Sequence, residues 1–104
     1  MKFLYPKTVT IGNYTFNIKY RKNESGGSFN FYKREIVLGT KYAKSDPGSY
    51  FTNILHEITE ASYVSMYMRY DTPDALNTYE FHFDHRLFAN ATEMIAKLLG
   101  EFIE

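Results

Sequence analysis

The stretch Phe51-Thr52-Asn53-Ile54-Leu55-His56-Glu57-Ile58-Thr59-Glu60-Ala61 decides how this chain folds. At about 100° per residue, Phe51, Ile54, Leu55, Ile58, Ala61, Ser65 and Met68 fall on one side of a helix. His56, Glu60, Tyr63 and Tyr67 fall on the opposite side. The pattern predicts an amphipathic helix from Tyr50 to about Arg69, with one stripe for a core and one face for polar work. Ser45-Asp46-Pro47-Gly48-Ser49, just ahead of it, supplies the start. Asp46 or Ser49 serves as N-cap, and proline is tolerated in a first helical turn.

Upstream of this helix the period changes to two. Val9-Thr10-Ile11 alternates, Gly12-Asn13 follows, and then Tyr14, Phe16, Ile18 and Tyr20 alternate with Thr15, Asn17, Lys19 and Arg21. Alternation on both sides of a two-residue, glycine-containing turn predicts a β-hairpin. Lys22 to Ser28 has the composition of a loop. Beyond it, Phe29 and Phe31 share one parity, while Ile36 and Leu38 share the other. A strand cannot change face without a bulge or turn. The break is placed at Tyr32-Lys33-Arg34, with Glu35–Leu38 as the third strand and Gly39 ending it.

Downstream, Tyr70 to Asn77 reads as a connecting loop. Tyr79, Phe81 and Phe83 alternate with Glu80 and His82, which predicts a short strand. Asp84 is a good N-cap for a last helix from His85 to about Phe102. Phe83 and Phe88 have the spacing of a hydrophobic staple, and Phe88, Ala91, Ile95, Leu98 and Phe102 form a core stripe. The expected fold class is therefore α+β, with a small antiparallel sheet packed on two long helices. That sheet has about three strands plus a short edge strand. At 104 residues it is one domain.

Composition narrows what such a domain can do. Hydrophobic residues make up 44% of the chain, with ten Tyr and nine Phe, so there is ample surface for a core and a packed globule is expected over disorder. Without cysteine there are no disulfides and no thiolate metal sites, so any metal must be held by nitrogen and oxygen. The start has too short an apolar run for a signal peptide, and no run approaches the ~18 residues of a membrane span. A cytoplasmic protein without membrane partners is expected. Residues 1–50 hold nine Lys/Arg against three Asp/Glu, and residues 51–104 hold three against nine. The basic residues are spread along predicted strands, which favours a solvated surface over a nucleic-acid interface. The acidic half holds all three histidines, the combination a cation site needs.

His56-Glu57-x-x-Glu60 carries the chemistry. Residues i and i+4 project side by side from a helix, so His56 and Glu60 can share one ion. Two histidines and one carboxylate, with a water in the fourth position, make an established catalytic zinc set. Glu57, turned about 100° from His56, is placed to act as general base on water activated by the metal. The third ligand must be His85 or His82. His85 is preferred, because in the first turn of a helix the dipole disfavours imidazolium and keeps nitrogen free for metal. His82 is then a supporting group, or the ligand itself. Tyr63 and Tyr67 lie on the same face, to hydrogen-bond an oxyanion or simply to pack in a cleft. The competing account makes Glu57 and Glu60 members of a solvated helix face beside a surface histidine.

Leu55-His56-Glu57-Ile58-x-Glu60-Ala61, together with Tyr79-Glu80-Phe81-x-Phe83-x-His85 ahead of a last helix, resembles the small phage and prophage zincin-like proteins. The resemblance covers roughly Val9 to the end. It implies a minimal zinc-peptidase core, with His56, Glu60 and His85 in ligand positions and Glu57 as the base. It also implies a peptide or protein substrate and an origin in a mobile element or its bacterial host. Glu60 departs from the His-Glu-x-x-His pattern. Carboxylate is an acceptable zinc ligand, but the change bears on metal identity, so another divalent ion could stand in place of zinc. A catalytically inactive interaction module built on the same core is the alternative reading. Oligomeric state is not encoded in any of these patterns.

Overall fold

Gly12, at φ +60°, turns the chain between β1 (Thr8–Ile11) and β2 (Tyr14–Arg21), the positive φ that a tight hairpin turn uses. The computed structural model describes residues 2–71, 79–82 and 84–104. The remaining elements are β3 (Gly27–Asn30), β4 (Glu35–Gly39), α1 (Pro47–Ser65), β5 (Arg69–Asp71), β6 (Tyr79–Phe81) and α2 (His85–Leu99). The first four strands form one sheet in the order β1-β2-β4-β3.

The α+β class holds, but the sheet is mixed rather than antiparallel. β1 with β2 and β3 with β4 are antiparallel, whereas β2 and β4 run parallel. The cause lies in Gly27 and Ser28, which the composition assigned to a loop and which begin β3. With β3 forming a hairpin with β4, β4 lies beside β2 in the same direction. A Cβ on Gly27 would stand 2.7 Å from the Val37 carbonyl oxygen and 3.1 Å from Glu57 Cγ. Glycine fits there because the β4 backbone and the Glu57 side chain of α1 both come too close for a side chain. The parity break at Tyr32–Arg34 is the β3–β4 turn, which pairs Phe29 with Ile36 across the ladder. Arg34 takes a left-handed φ of 52° in it.

Val9, Ile11, Phe16, Ile18, Ile36 and Leu38 point from one face of the sheet into the core, where they meet Ile54, Ile58 and Ala61 of α1 and Ala91, Ile95 and Leu98 of α2. The other face carries Thr8, Thr10, Thr15, Asn17 and the Lys19–Glu35 ion pair at 2.9 Å. Asp46 caps α1 by accepting from the Ser49 backbone N–H, and Asp84 caps α2 by accepting from that of Leu87. No described helix is long and apolar enough to cross a membrane.

Several element-level expectations change, among them the end of α2 at Leu99 instead of near Phe102 and the place of Tyr70 and Asp71, expected in a loop, in β5. α1 stops at Ser65 instead of near Arg69, because the chain turns through Met66 and enters a left-handed φ of 59° at Tyr67. The expected edge strand, β6, pairs with β5 in a separate two-stranded ribbon and does not join the sheet. Leu55 is 41% exposed, lying on the flank of α1 away from the sheet. Phe88 is 43% exposed, because the first buried residue of α2 is Ala91. The connecting-loop residues 72–77 and the staple partner Phe83 lie outside the described residues.

Candidate functional site

The buried arc of α1 consists of Tyr50, Ile54, Glu57, Ile58, Ala61, Ser62 and Ser65. Its notable member is Glu57, which is only 5% exposed. Three residues after Ile54, Glu57 is displaced from it by about 60° around the helix, which puts it at one flank of the apolar stripe, where the close approach of β3 covers it. The reading that made Glu57 part of a solvated face therefore fails, and it is the packing of β3 that decides the burial. Its carboxylate is held under β3, beside Gly27.

Burial pushes the Glu57 carboxyl above the usual glutamate range; His56 counters this and the Glu60 charge reinforces it. Its Oε2 makes no hydrogen bond to a described residue. One residue back, His56 reaches the surface. Its Nε2 lies 3.4 Å from Glu60 Oε2 and 3.9 Å from Glu57 Oε1. One imidazole nitrogen thus faces an exposed-side carboxylate and a core-side carboxylate together, which is the spacing expected of residues i, i+1 and i+4.

His56 and Glu60 border a groove of about 480 Å³ whose other walls include Leu55, Thr59, Tyr63 and Phe81. Phe81 comes from β6 and meets Tyr63 edge-on, with ring centroids 5.5 Å apart. The β5–β6 ribbon therefore supplies one wall of a groove whose floor is α1. Sequence reasoning assigned Leu55 to the core and placed Phe81 on a short strand, without a part in the site. Leu55 sits about 100° from Ile54 around the helix, on the opposite flank of the stripe from Glu57. Nothing local could have brought Phe81 there.

Of the other predicted residues, Tyr63 lies in the groove, whereas Tyr67 lies beyond the end of α1, with its hydroxyl 2.7 Å from that of Tyr14 on β2. The backbone N–H of His82 donates to the Met68 carbonyl oxygen, and its side chain is exposed. His85 is the exposed first residue of α2. Among the described residues, no three or more His, Asp or Glu side chains form a group that could hold a metal ion. The structure brings His56, Glu57 and Glu60 together and leaves His82 and His85 outside that cluster.

No protein-family model, curated protein or solved structure matches the chain. The likeness to zincin-like proteins rests on the two short motifs.

Proposed function

We propose that this chain is a metal-dependent hydrolase of zincin type, acting on peptide or protein substrates. The observation that carries the reading is Glu57: a buried carboxyl, raised above its ordinary range, 3.9 Å from a histidine that faces a second carboxylate on the groove side. A carboxyl whose proton affinity burial raises, next to a groove-lining histidine, suits general acid–base chemistry better than a solvated one.

Two donors stand ready for a divalent ion, and a third must join them. His56 Nε2 and Glu60 Oε2 are a nitrogen and an oxygen on one helix face, suited to zinc or a similar metal. His85 would complete the set from the start of α2, with His82 as the alternative third ligand. When bound, the ion would supply Lewis acidity toward water or a carbonyl oxygen. The chain's own part is proton movement. Glu57 Oε1 accepts a proton from the attacking water and returns it to the departing amine. β3, at the edge of the sheet and in contact with Glu57 through Gly27, offers a backbone edge along which an extended peptide can pair. The reading carries with it a cytoplasmic place of work in a bacterial host, encoded by the host or by a phage.

Zinc titration and peptide hydrolysis, run on the same preparations, test it. Wild type is expected to bind one zinc, His56→Ala and Glu60→Ala to lose most of that affinity, and Glu57→Gln to keep zinc but lose about 100-fold or more in turnover. Wild type that binds no zinc, or His56→Ala that binds it equally well, overturns the proposal. His85→Ala and His82→Ala, compared side by side, identify the third ligand.

One observation favours a second reading, a non-catalytic interaction module. Leu55 and Phe81 leave much of their surface open in the groove, at 41% and 44% exposed. In that case Phe81→Asp abolishes partner binding and Glu57→Gln leaves it intact.

A further inference from the structure

A second concavity, of about 690 Å³, opens where the chain leaves the two parallel strands. β2 ends at Arg21 and β4 at Gly39, and the segments that follow bring Lys22 and Asn23 together with Thr40, Lys41 and Lys44. Tyr5 and Tyr20 form an aromatic wall, edge to face, with ring centroids 5.2 Å apart. None of these residues lines the His56 groove.

The two segments are joined backbone to backbone. The Thr40 N–H donates to the Arg21 carbonyl oxygen at 3.0 Å, and the Lys41 N–H to that of Glu24 at 3.1 Å. A Cβ on Gly39 would lie 2.3 Å from the Glu24 carbonyl oxygen, so only glycine permits this junction. The lysines are therefore placed by the fold and not by carboxylate partners. Among the described residues, no Asp or Glu lines the concavity. Lys22 and Lys44 make no ion pair with a described residue, and Lys41 lies 5.4 Å over the Tyr42 ring. Three lysines line one hollow with no Asp or Glu beside them among the described residues, a setting that suits an anion.

The wall chemistry narrows the anion. Among the described lining residues the cations are lysines, point charges of the kind that hold phosphate groups. The Tyr20 hydroxyl is committed to the Pro6 carbonyl oxygen at 2.6 Å, so Tyr20 serves as a fixed wall. Tyr5 is 52% exposed and has ring surface to offer. A phosphate cradle beside an open aromatic ring matches a phosphorylated planar base. We propose that this hollow binds a nucleoside phosphate, the phosphate on Lys22, Lys41 and Lys44 and the base stacked on Tyr5. The chemistry is shared by a free nucleotide and by one nucleotide of a single strand.

Calorimetric titration of the full chain with ADP, inorganic phosphate and a short oligothymidylate tests the proposal. Saturable ADP binding is expected, weakened about tenfold or more in Lys22→Ala/Lys44→Ala and in Tyr5→Leu. Lys33→Ala, a lysine outside the hollow, should bind as wild type does, and thermal melts should show all variants folded. Tighter oligonucleotide binding with steep salt dependence assigns the site to a strand, tighter ADP binding assigns it to a free nucleotide, and both uphold it. No saturable binding of either ligand, or undiminished binding by the double lysine variant, overturns it. Inorganic phosphate binding as tightly as ADP removes the role of Tyr5 and overturns it as well.

Discussion

Glu57 shows what one buried carboxyl does to both stability and chemistry. Its folded proton affinity is raised, chiefly by burial, so between the ordinary glutamate range and the raised folded value the native state holds more protons than the unfolded one. Stability linked to Glu57 is then complete below the unfolded value and declines as pH rises through that window. Glu57→Gln removes the titration. Urea midpoints measured without metal from about pH 4 to pH 8 should show the variant gaining on wild type as pH increases, and a constant difference would contradict the raised carboxyl. Gly27 is the matching position on β3. Gly27→Ala drives a methyl group against the Val37 carbonyl and the Glu57 side chain, and a loss of about 1–3 kcal/mol in denaturant unfolding is expected. Both effects trace to residues a sequence reader could name but could not place in contact, since they are 30 positions apart.

At the scale of elements, the two helices begin alike and matter differently. Asp46 and Asp84 each accept from the backbone N–H three residues on, at 3.2 and 2.9 Å. α1 packs a buried arc along its length, whereas the first six residues of α2 are all exposed. Asp46→Ala should therefore cost about 1 kcal/mol of global stability. Asp84→Ala should cost less globally and appear as faster amide hydrogen exchange in residues 85–90. Capping was legible in the sequence because it depends on a short polar side chain a fixed distance from a helical pattern. The end of α1 was not. Apolar and aromatic residues continue past Ser65, and only the turn at Met66–Tyr67, which sends the chain into β5, breaks the helix. The place of β6 was equally hidden. Strand alternation specifies which residues share a face, but not which other strand that edge will pair with.

Over the whole molecule, the two ends of the described chain are joined by contacts of unequal value. Phe3 and Ile103 form a β-bridge, the Leu4 N–H donates to the Phe102 carbonyl oxygen at 2.7 Å, and Lys2 pairs with Glu104 at 2.9 Å. Phe102 is fully buried in the common core, while the Lys2–Glu104 pair is open to solvent. Phe102→Ala should cost about 3–5 kcal/mol. Lys2→Ala or Glu104→Ala should cost about 0.5 kcal/mol or less, and salt should erase the difference. Equilibrium unfolding of the three variants checks both figures.

What the sequence determined by itself is local: the periods of two and 3.6, the Gly12-Asn13 turn, the aspartate caps and the adjacency of His56 and Glu60. Each depends on neighbours within about one or two helical turns, where backbone geometry leaves few choices. The tertiary structure alone decided the parallel pairing of β2 with β4, the burial of Glu57 beneath β3, the groove wall from Phe81 and the meeting of Lys22 with Lys41 and Lys44. These are contacts between segments far apart in the chain. They follow from which surfaces the core can bury together, which no window of neighbouring residues contains.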